Sequence, residues 1–296
     1  VSWKNNHELS LSLSGKSDLD ILVSGDKNLF KKIASANGWF ELYNHVAIFK
    51  DIQHFYKISS SGTIYHLHVY FEVITGESWI KEYKLPLKEF IFENRSYSSD
   101  FNIWILNKRA QAYIFLLRYF IKNKSFFSRL NYFRDIQSYN DEWKLCKINP
   151  IDLIGFGPIE IDSLLIKYSQ SCILKPPSIR DGRFVRKKID AYLRYKKYSL
   201  MFRRLKSFNQ RIINKIFFKR KKLFKGNGLI IAISGPDGSG KSSIIEGLNS
   251  KFSTFISCKH GSLGKPQGKI VEALRVFFNK QNRNIGKTKI QNKSLN

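Results

Sequence analysis

The sequence predicts a multidomain α/β protein: an N-terminal mixed sheet, a helical middle that runs into a long basic helix, and a C-terminal parallel α/β module. Three observations lead there. Residues 64–74 alternate, with Leu67, Val69, Phe71 and Val73 on one side and His66, His68, Tyr70 and Glu72 on the other, the period of a half-buried strand. From Asn107 to Lys122 apolar residues fall at Ala110, Tyr113, Ile114, Leu117 and Ile121, the 3.6-residue period of a helix. Leu229 to Ile233 is a continuous apolar run closed by Ser234-Gly235, as expected of a strand buried on both faces of a parallel sheet.

Taken in order, a polar lead and a Gly15-Lys16-Ser17 turn precede a strand from Leu19 to Val23. Residues 45–52 suggest a second strand, and the alternating segment a third, closed by the turn Thr75-Gly76-Glu77. Together these make an α/β domain over 1–102. A helical region follows over 103–182, divided by Pro150 and the Gly155–Pro158 cluster, with Pro176-Pro177 marking a joint. A basic amphipathic connector occupies 183–226, and the C-terminal module occupies 227–296.

Composition narrows the class. A chain of 296 residues has room for two ordinary domains, and 43% apolar with 15% aromatic residues excludes wholesale disorder. Three scattered cysteines, Cys146, Cys172 and Cys258, exclude a disulfide scaffold and a cysteine-rich zinc module, and fit a reducing setting. No apolar run approaches the ~20 residues that a bilayer requires. A cytoplasmic protein without a transmembrane segment is expected, peripheral at the inner face of the membrane if its basic segment meets lipid.

The net charge of +28, from 51 basic and 23 acidic residues, is uneven. Residues 1–100 hold 11 basic and 12 acidic side chains, whereas 180–225 hold 18 and 2. Met201, Leu205, Phe208, Ile212 and Ile216 form an apolar stripe through this block, which predicts a long cationic helix in one or two pieces. Its first expected role is a connector that packs the stripe on a neighbour. The sharper alternative is that 183–225 contacts a polyanion or a membrane surface.

The strongest motif is Gly235-x-x-x-x-Gly240-Lys241-Ser242, placed between the apolar run and a helix begun at Lys241-Ser242-Ser243. Glycines at 235, 238 and 240 let the backbone curl so that the N–H groups of Pro236's successors, Asp237 through Ser243, face one anion. The helix adds its positive end. Lys241 would reach the β- and γ-phosphates of ATP and the Ser242 hydroxyl would ligate Mg²⁺. The segment Ser234-Gly-Pro-Asp-Gly-Ser-Gly-Lys-Ser-Ser resembles the phosphate-binding loop of thymidylate kinases, with Asp237-Gly238 as the discriminating pair. The resemblance implies binding through Gly235, Pro236, Asp237, Gly238, Ser239, Gly240, Lys241, Ser242 and Ser243. It also implies a role for Asp237 in positioning Mg²⁺ or the phosphoryl acceptor, an unidentified small phosphate compound. Only 55 residues follow Lys241, with no acidic strand end for a Walker B role, so the module is expected to be incomplete.

A second motif, Leu13-Ser-Gly-Lys-Ser-Asp18-Leu-Asp20-Ile-Leu-Val, sets two carboxylates on one face of a strand, where they could hold Mg²⁺. It resembles the Gly-Ser turn and Asp-x-Asp strand of nucleotidyltransferases of the DNA polymerase β type, which implies phosphate contacts from Gly15 and Ser17. His66 and His68, with Glu72 further along, stand where a third carboxylate is expected, and Asp51 is the other candidate. As a zinc set the two histidines lack a fourth ligand and read as polar strand-face residues. The arrangement of Trp3–Leu9, Gly15–Asp20, His66–Val69, Lys81–Pro86 and the loop resembles thymidylate-kinase-like proteins encoded among bacterial surface-polysaccharide genes. The expected function is ATP-dependent phosphotransfer at Lys241 and Asp237. The alternatives are nucleotidyl transfer at Asp18 and Asp20, or non-catalytic binding of a nucleotide or polyanion.

Overall fold

The computed structural model of the chain describes residues 1–43, 48–122, 126–146, 148–170, 178–213, 223–224, 230–253 and 256–261. They fall into two compact units, Val1–Ile230 and Ile231–Asn296. The first unit runs α1 (Leu9–Leu13), β1 (Leu19–Leu22), α2 (Lys27–Ala36), β2 (Phe40–Tyr43), β3 (Ile52–Ile58), β4 (Ile64–Tyr70), β5 (Ile74–Thr75), β6 (Tyr83–Lys84) and α3 (Lys88–Glu93). It continues through β7 (Arg95–Ser98), β8 (Ile103–Leu106), α4 (Lys108–Lys122), α5 (Phe126–Cys146), α6 (Asp162–Ser169), α7 (Ile179–Lys188), α8 (Lys197–Ile213) and β9 (Leu223–Phe224). The protein is mixed α/β with a mixed sheet.

Five strands pair in the order β1-β4-β3-β2-β9, with β1 parallel to β4 and the remaining pairs antiparallel. The expected strand over 45–52 is not formed among its described residues. Residues 44–47 lie outside the description, 48–51 are loop and turn, and only Ile52 belongs to a strand. Pairing decides this: β3 is the hairpin partner of β4, in register from Ile52 opposite Tyr70 to Ile58 opposite Ile64, so it begins where its partner ends. β4 likewise stops at Tyr70, and Ile74 starts a separate pair with β6.

The alternation on β4 sorts the sheet's two faces. Val69 and Phe71 join Phe55 of β3 and Ala34 of α2 in a small apolar cluster, with Phe30 and Leu67 packed on it. α2 is set against that face by Asp26, whose carboxylate accepts from the N–H groups of Asn28 and Leu29 as an N-cap. His54, Tyr56, His66, His68 and Tyr70 line the other face. There the amino-terminal segment runs along the edge of β1, with Ser2 bridging Ile21 and Ile105. That bridge puts Trp3 in the main core, edge-on to Tyr70 at 5.1 Å, and leaves Lys4 beside β1.

α4 forms over the expected residues but is buried on every side from Ala112 to Ile121, not along one stripe. Trp143 of α5, Leu165 of α6 and Val185 of α7 complete its sheath. The basic block therefore contributes to the core of the first unit. It is broken after α7, because residues 189–194 dock on β6: Ile189 is buried, Leu193 bridges Tyr83, and the Arg194 N–H reaches the Glu82 carbonyl at 2.9 Å.

α8 presents a different face inward from the one its sequence suggests. Leu200 and Ser207 are buried, while Arg204 pairs with Glu82 and Arg211 with Glu77. Met201, Leu205, Phe208 and Ile212 remain exposed, so among the described residues the stripe is not packed on a neighbour. Ile216 and the Pro176-Pro177 joint lie outside the described residues. No described helix is long and apolar enough to cross a membrane.

In the second unit α9 (Lys241–Phe252) starts where the sequence predicts. The buried strand before it does not form: described residues 230–236 take no regular structure, and Ile230 is 92% exposed. A parallel strand needs paired neighbours and covered faces, and no other strand occurs among the described residues of this unit. The parallel strand is therefore not built among the described residues.

Candidate functional site

On the face of the sheet opposite α2, aromatic rings pack across β3 and β4. Tyr56 lies on His66 at 4.3 Å between centroids, His54 on His68 at 4.4 Å, and His68 on Tyr70 at 4.6 Å. The antiparallel register sets His54 directly opposite His68 and Tyr56 opposite His66. The parallel pairing of β1 sets Asp20 opposite His68. Both aspartates of the Asp-x-Asp motif meet this row, as their spacing predicts.

Their environments differ. Asp20 is 3% exposed and surrounded by donors. Lys4 Nζ stands 2.7 Å from Oδ1, His68 Nδ1 3.1 Å from the same oxygen, and Asn5 Nδ2 2.7 Å from Oδ2. Burial pushes the carboxyl up, but Lys4 and His68 outweigh it and hold the group well below the usual carboxylate range. Burial lowers His68 to about 4, so its imidazole is neutral near pH 7, and its Nδ1 meets the Tyr70 hydroxyl at 3.3 Å. Lys4 also donates to the Tyr70 hydroxyl at 2.9 Å, and Arg118 steadies Asn5 at 3.2 Å. Burial raises the Tyr70 phenol well above its ordinary value.

Asp18 is largely exposed and binds His66 Nδ1, while His66 Nε2 meets His54 Nδ1 at 3.0 Å. This is a carboxylate–imidazole–imidazole chain. Asp18 orients His66 with its proton on Nδ1, which leaves Nε2 to accept from His54, and a proton can pass along the line.

These residues do not fit a magnesium pair. Asp20 Oδ2 accepts from Asn5, and Oδ1, buried and without a hydrogen bond, has the Lys4 ammonium 2.7 Å away in the place a cation would take. Among the described residues no three His, Cys, Asp or Glu side chains converge as a metal set. The candidate third carboxylates are engaged elsewhere, Asp51 with Lys27 and Glu72 with Lys84. Gly15 serves packing: its φ is +78°, and a Cβ there would meet Thr63 Cγ2 at 2.7 Å and the Ile64 carbonyl oxygen at 2.9 Å. The Ser17 hydroxyl donates to Glu8 at 2.7 Å. His54, Tyr56, Lys4 and Asn5 are the members of this face that sequence reasoning missed. The signal for the first two was there, in the alternation of His54-x-Tyr56 that mirrors His66-x-His68.

In the second unit the loop from Gly235 to Ser243 leads directly into α9. Gly238 and Gly240 take φ of 82° and 77°, conformations that other residues reach only under strain. At Gly235 a Cβ would meet Ser239 Oγ at 2.8 Å. Lys241 folds back over the loop, its ammonium donating to the Gly235 carbonyl at 2.8 Å and to that of Pro236, with Asp237 at 3.8 Å. Ser242 and Ser243 form the first turn of α9, and the Asp237 side chain is open to solvent.

Comparison with known proteins leaves this geometry to stand alone: no family model matches the chain, and no curated protein or solved structure is significantly similar to it.

Proposed function

We propose that the chain is an ATP-dependent phosphotransferase, resembling thymidylate and other nucleoside-monophosphate kinases, fused to a nucleotidyltransferase-like unit. The observation that carries this reading is the loop itself. Its two left-handed glycines turn the backbone into the amino-terminal end of α9, and the ammonium of Lys241 lies over the curl. An anion placed there meets N–H groups and the helix's positive end, and Lys241 exchanges two carbonyl partners for phosphate oxygens. The residues present fit ATP with Mg²⁺: Ser242 would hold the ion, which neutralises phosphate charge. Asp237 would orient the acceptor, a small phosphate compound such as a nucleoside monophosphate. Positioning and charge neutralisation supply the catalysis.

Calorimetric titration of ATP with Mg²⁺ into the wild type, Lys241→Ala and Asp18→Ala tests the assignment. Binding lost in Lys241→Ala and kept in Asp18→Ala is the expected result. Unchanged affinity in Lys241→Ala overturns it.

A further inference from the structure

The loop around Lys241 leaves the densest charge in the chain without a role. In the first unit, α7 and α8 border an open cleft of about 400 Å³, a volume in the range of small-molecule sites. Arg183, Arg186 and Lys187 line it from α7, and Lys197 and Arg204 from α8. Tyr83 and Leu200, 3% and 6% exposed, supply an apolar floor.

The charge in this space does not balance. Asp190 is the single carboxylate among the lining residues, and Lys197 pairs with it at 2.9 Å. Beneath the floor Glu82 is buried, its Oε2 accepting from the Glu77 N–H at 2.7 Å and its Oε1 3.9 Å from Arg204. Two carboxylates face five cations.

Arg183, Arg186 and Lys187 follow the i, i+3, i+4 spacing that brings side chains together on one helix face, where like charges repel. A solvated basic face would spread such groups over a convex surface. Here they share the lining of one open cleft with Lys197 and Arg204 of a second helix. Burial lowers the Arg186 pKa; Tyr83 and Glu82 raise it in part, and Arg204 and Arg183 add to the lowering. Glu82 tethers Arg204, so that guanidinium is held at the rim before any ligand arrives. Planar guanidinium groups beside ammonium groups are the donor set that matches phosphate oxygens.

We propose that the cleft between α7 and α8 binds a soluble small molecule carrying two or more phosphate charges, held by Arg183, Arg186, Lys187 and Arg204 over the Tyr83–Leu200 floor. The cleft belongs to the first unit and the loop around Lys241 to the second, and the cleft needs no metal.

The test is calorimetric titration of pyrophosphate, without Mg²⁺ at 0.15 M salt, into full-length Lys241→Ala. That background removes the loop's own phosphate binding, so failure of the loop assignment and failure of the cleft appear in different variants. Saturable binding is expected. It should weaken at least tenfold when Arg183→Gln and Lys187→Gln are added, both exposed positions whose loss leaves the core intact. Lys188→Gln with Lys206→Gln removes the same charge outside the cleft and should change affinity less than twofold. Arg186→Lys keeps the charge but loses the fork, and should weaken binding severalfold. No binding of pyrophosphate overturns the proposal, as does equal weakening by the two double variants. Binding confined to phosphatidic-acid vesicles, with none to pyrophosphate, also overturns it.

Discussion

Asp20→Asn removes one charge from a buried pair and leaves its partner stranded. The Lys4 side chain is 11% exposed and its ammonium lies 2.7 Å from Asp20 Oδ1. Burial already lowers the Lys4 pKa, and the charge of Asp20 is the largest influence raising it again. Breaking a buried ion pair from one side costs roughly 3–5 kcal/mol. Asparagine keeps an oxygen for His68 or Asn5, so the lower end, about 3 kcal/mol, is expected. For a unit of this size that lowers Tm by about 6–12 °C. Urea unfolding followed by tryptophan fluorescence reads it, with Trp3 as a reporter beneath Lys4. Adding Lys4→Met should restore at least half of the loss, because methionine fills the stem's place against Trp3 and Tyr70 without a charge to strand. A loss under about 1 kcal/mol for Asp20→Asn, or strict additivity in the double variant, would refute the reasoning that Lys4 and Asp20 form one coupled pair.

Acid should weaken the first unit in two stages. His68 is lowered to about 4 in the folded protein, against about 6.5 in the unfolded chain, so folding disfavours its proton. Its contribution is full above pH ~6.5 and fades as the pH falls to about 4, by at most about 3 kcal/mol; His68→Gln should flatten this limb of a stability–pH curve. Asp20, held low, keeps its contribution above pH ~4 and loses it only below that. Gly157→Ala would place a Cβ 1.9 Å from Cζ of Tyr113, a ring pinned by hydrogen bonds to the N–H and carbonyl of Ile159. A loss of about 2 kcal/mol in urea is expected, and an unchanged midpoint would show that the ring can move aside. Lys241→Ala should leave the melting of the first unit unchanged while abolishing ATP binding; a shift in that transition would tie the loop to the fold.

Local periodicity made α4, β1 and the start of α9 legible, because each is long or sharply bounded and its own residues specify it. β2 and β3 were missed for the opposite reason. Ile52–Ile58 reads apolar, polar, polar, apolar, aromatic, polar, apolar, without the clean alternation of β4, and its limits are set by hairpin register with β4 across residues 59–63. The strand expected at 229–233 is not formed at its described residues 230–233, and no strand stands beside them among the described residues of that unit; an apolar run states only that it must be covered. On α8 the inward face was misread because arginines are counted as solvent-facing. Arg204 and Arg211 instead turn toward Glu82 and Glu77, and the apolar stripe turns out. At the sheet face, the Asp18–Asp20 spacing foretold a shared side but gave no hint that Lys4, sixteen residues earlier, would occupy it.

That lysine bears on which part of the chain handles phosphate. To admit magnesium at Asp20, Lys4 must leave and strand its charge or rebuild its surroundings, at roughly 3–5 kcal/mol. Magnesium present at its own dissociation constant returns only about 0.4 kcal/mol. The exchange is uphill unless a substrate adds several kcal/mol of its own, and no third carboxylate stands ready among the described residues to help. Asp20 is better suited to tying the amino-terminal segment to the sheet through Lys4 and Asn5 than to holding a metal. The Asp18–His66–His54 chain, whose outer carboxylate is exposed, keeps the capacity to move a proton without one. The proposed phosphate contacts rest instead on Lys241, whose ammonium holds two loop carbonyls with an exposed aspartate at 3.8 Å, and on the cations that outnumber their carboxylates between α7 and α8.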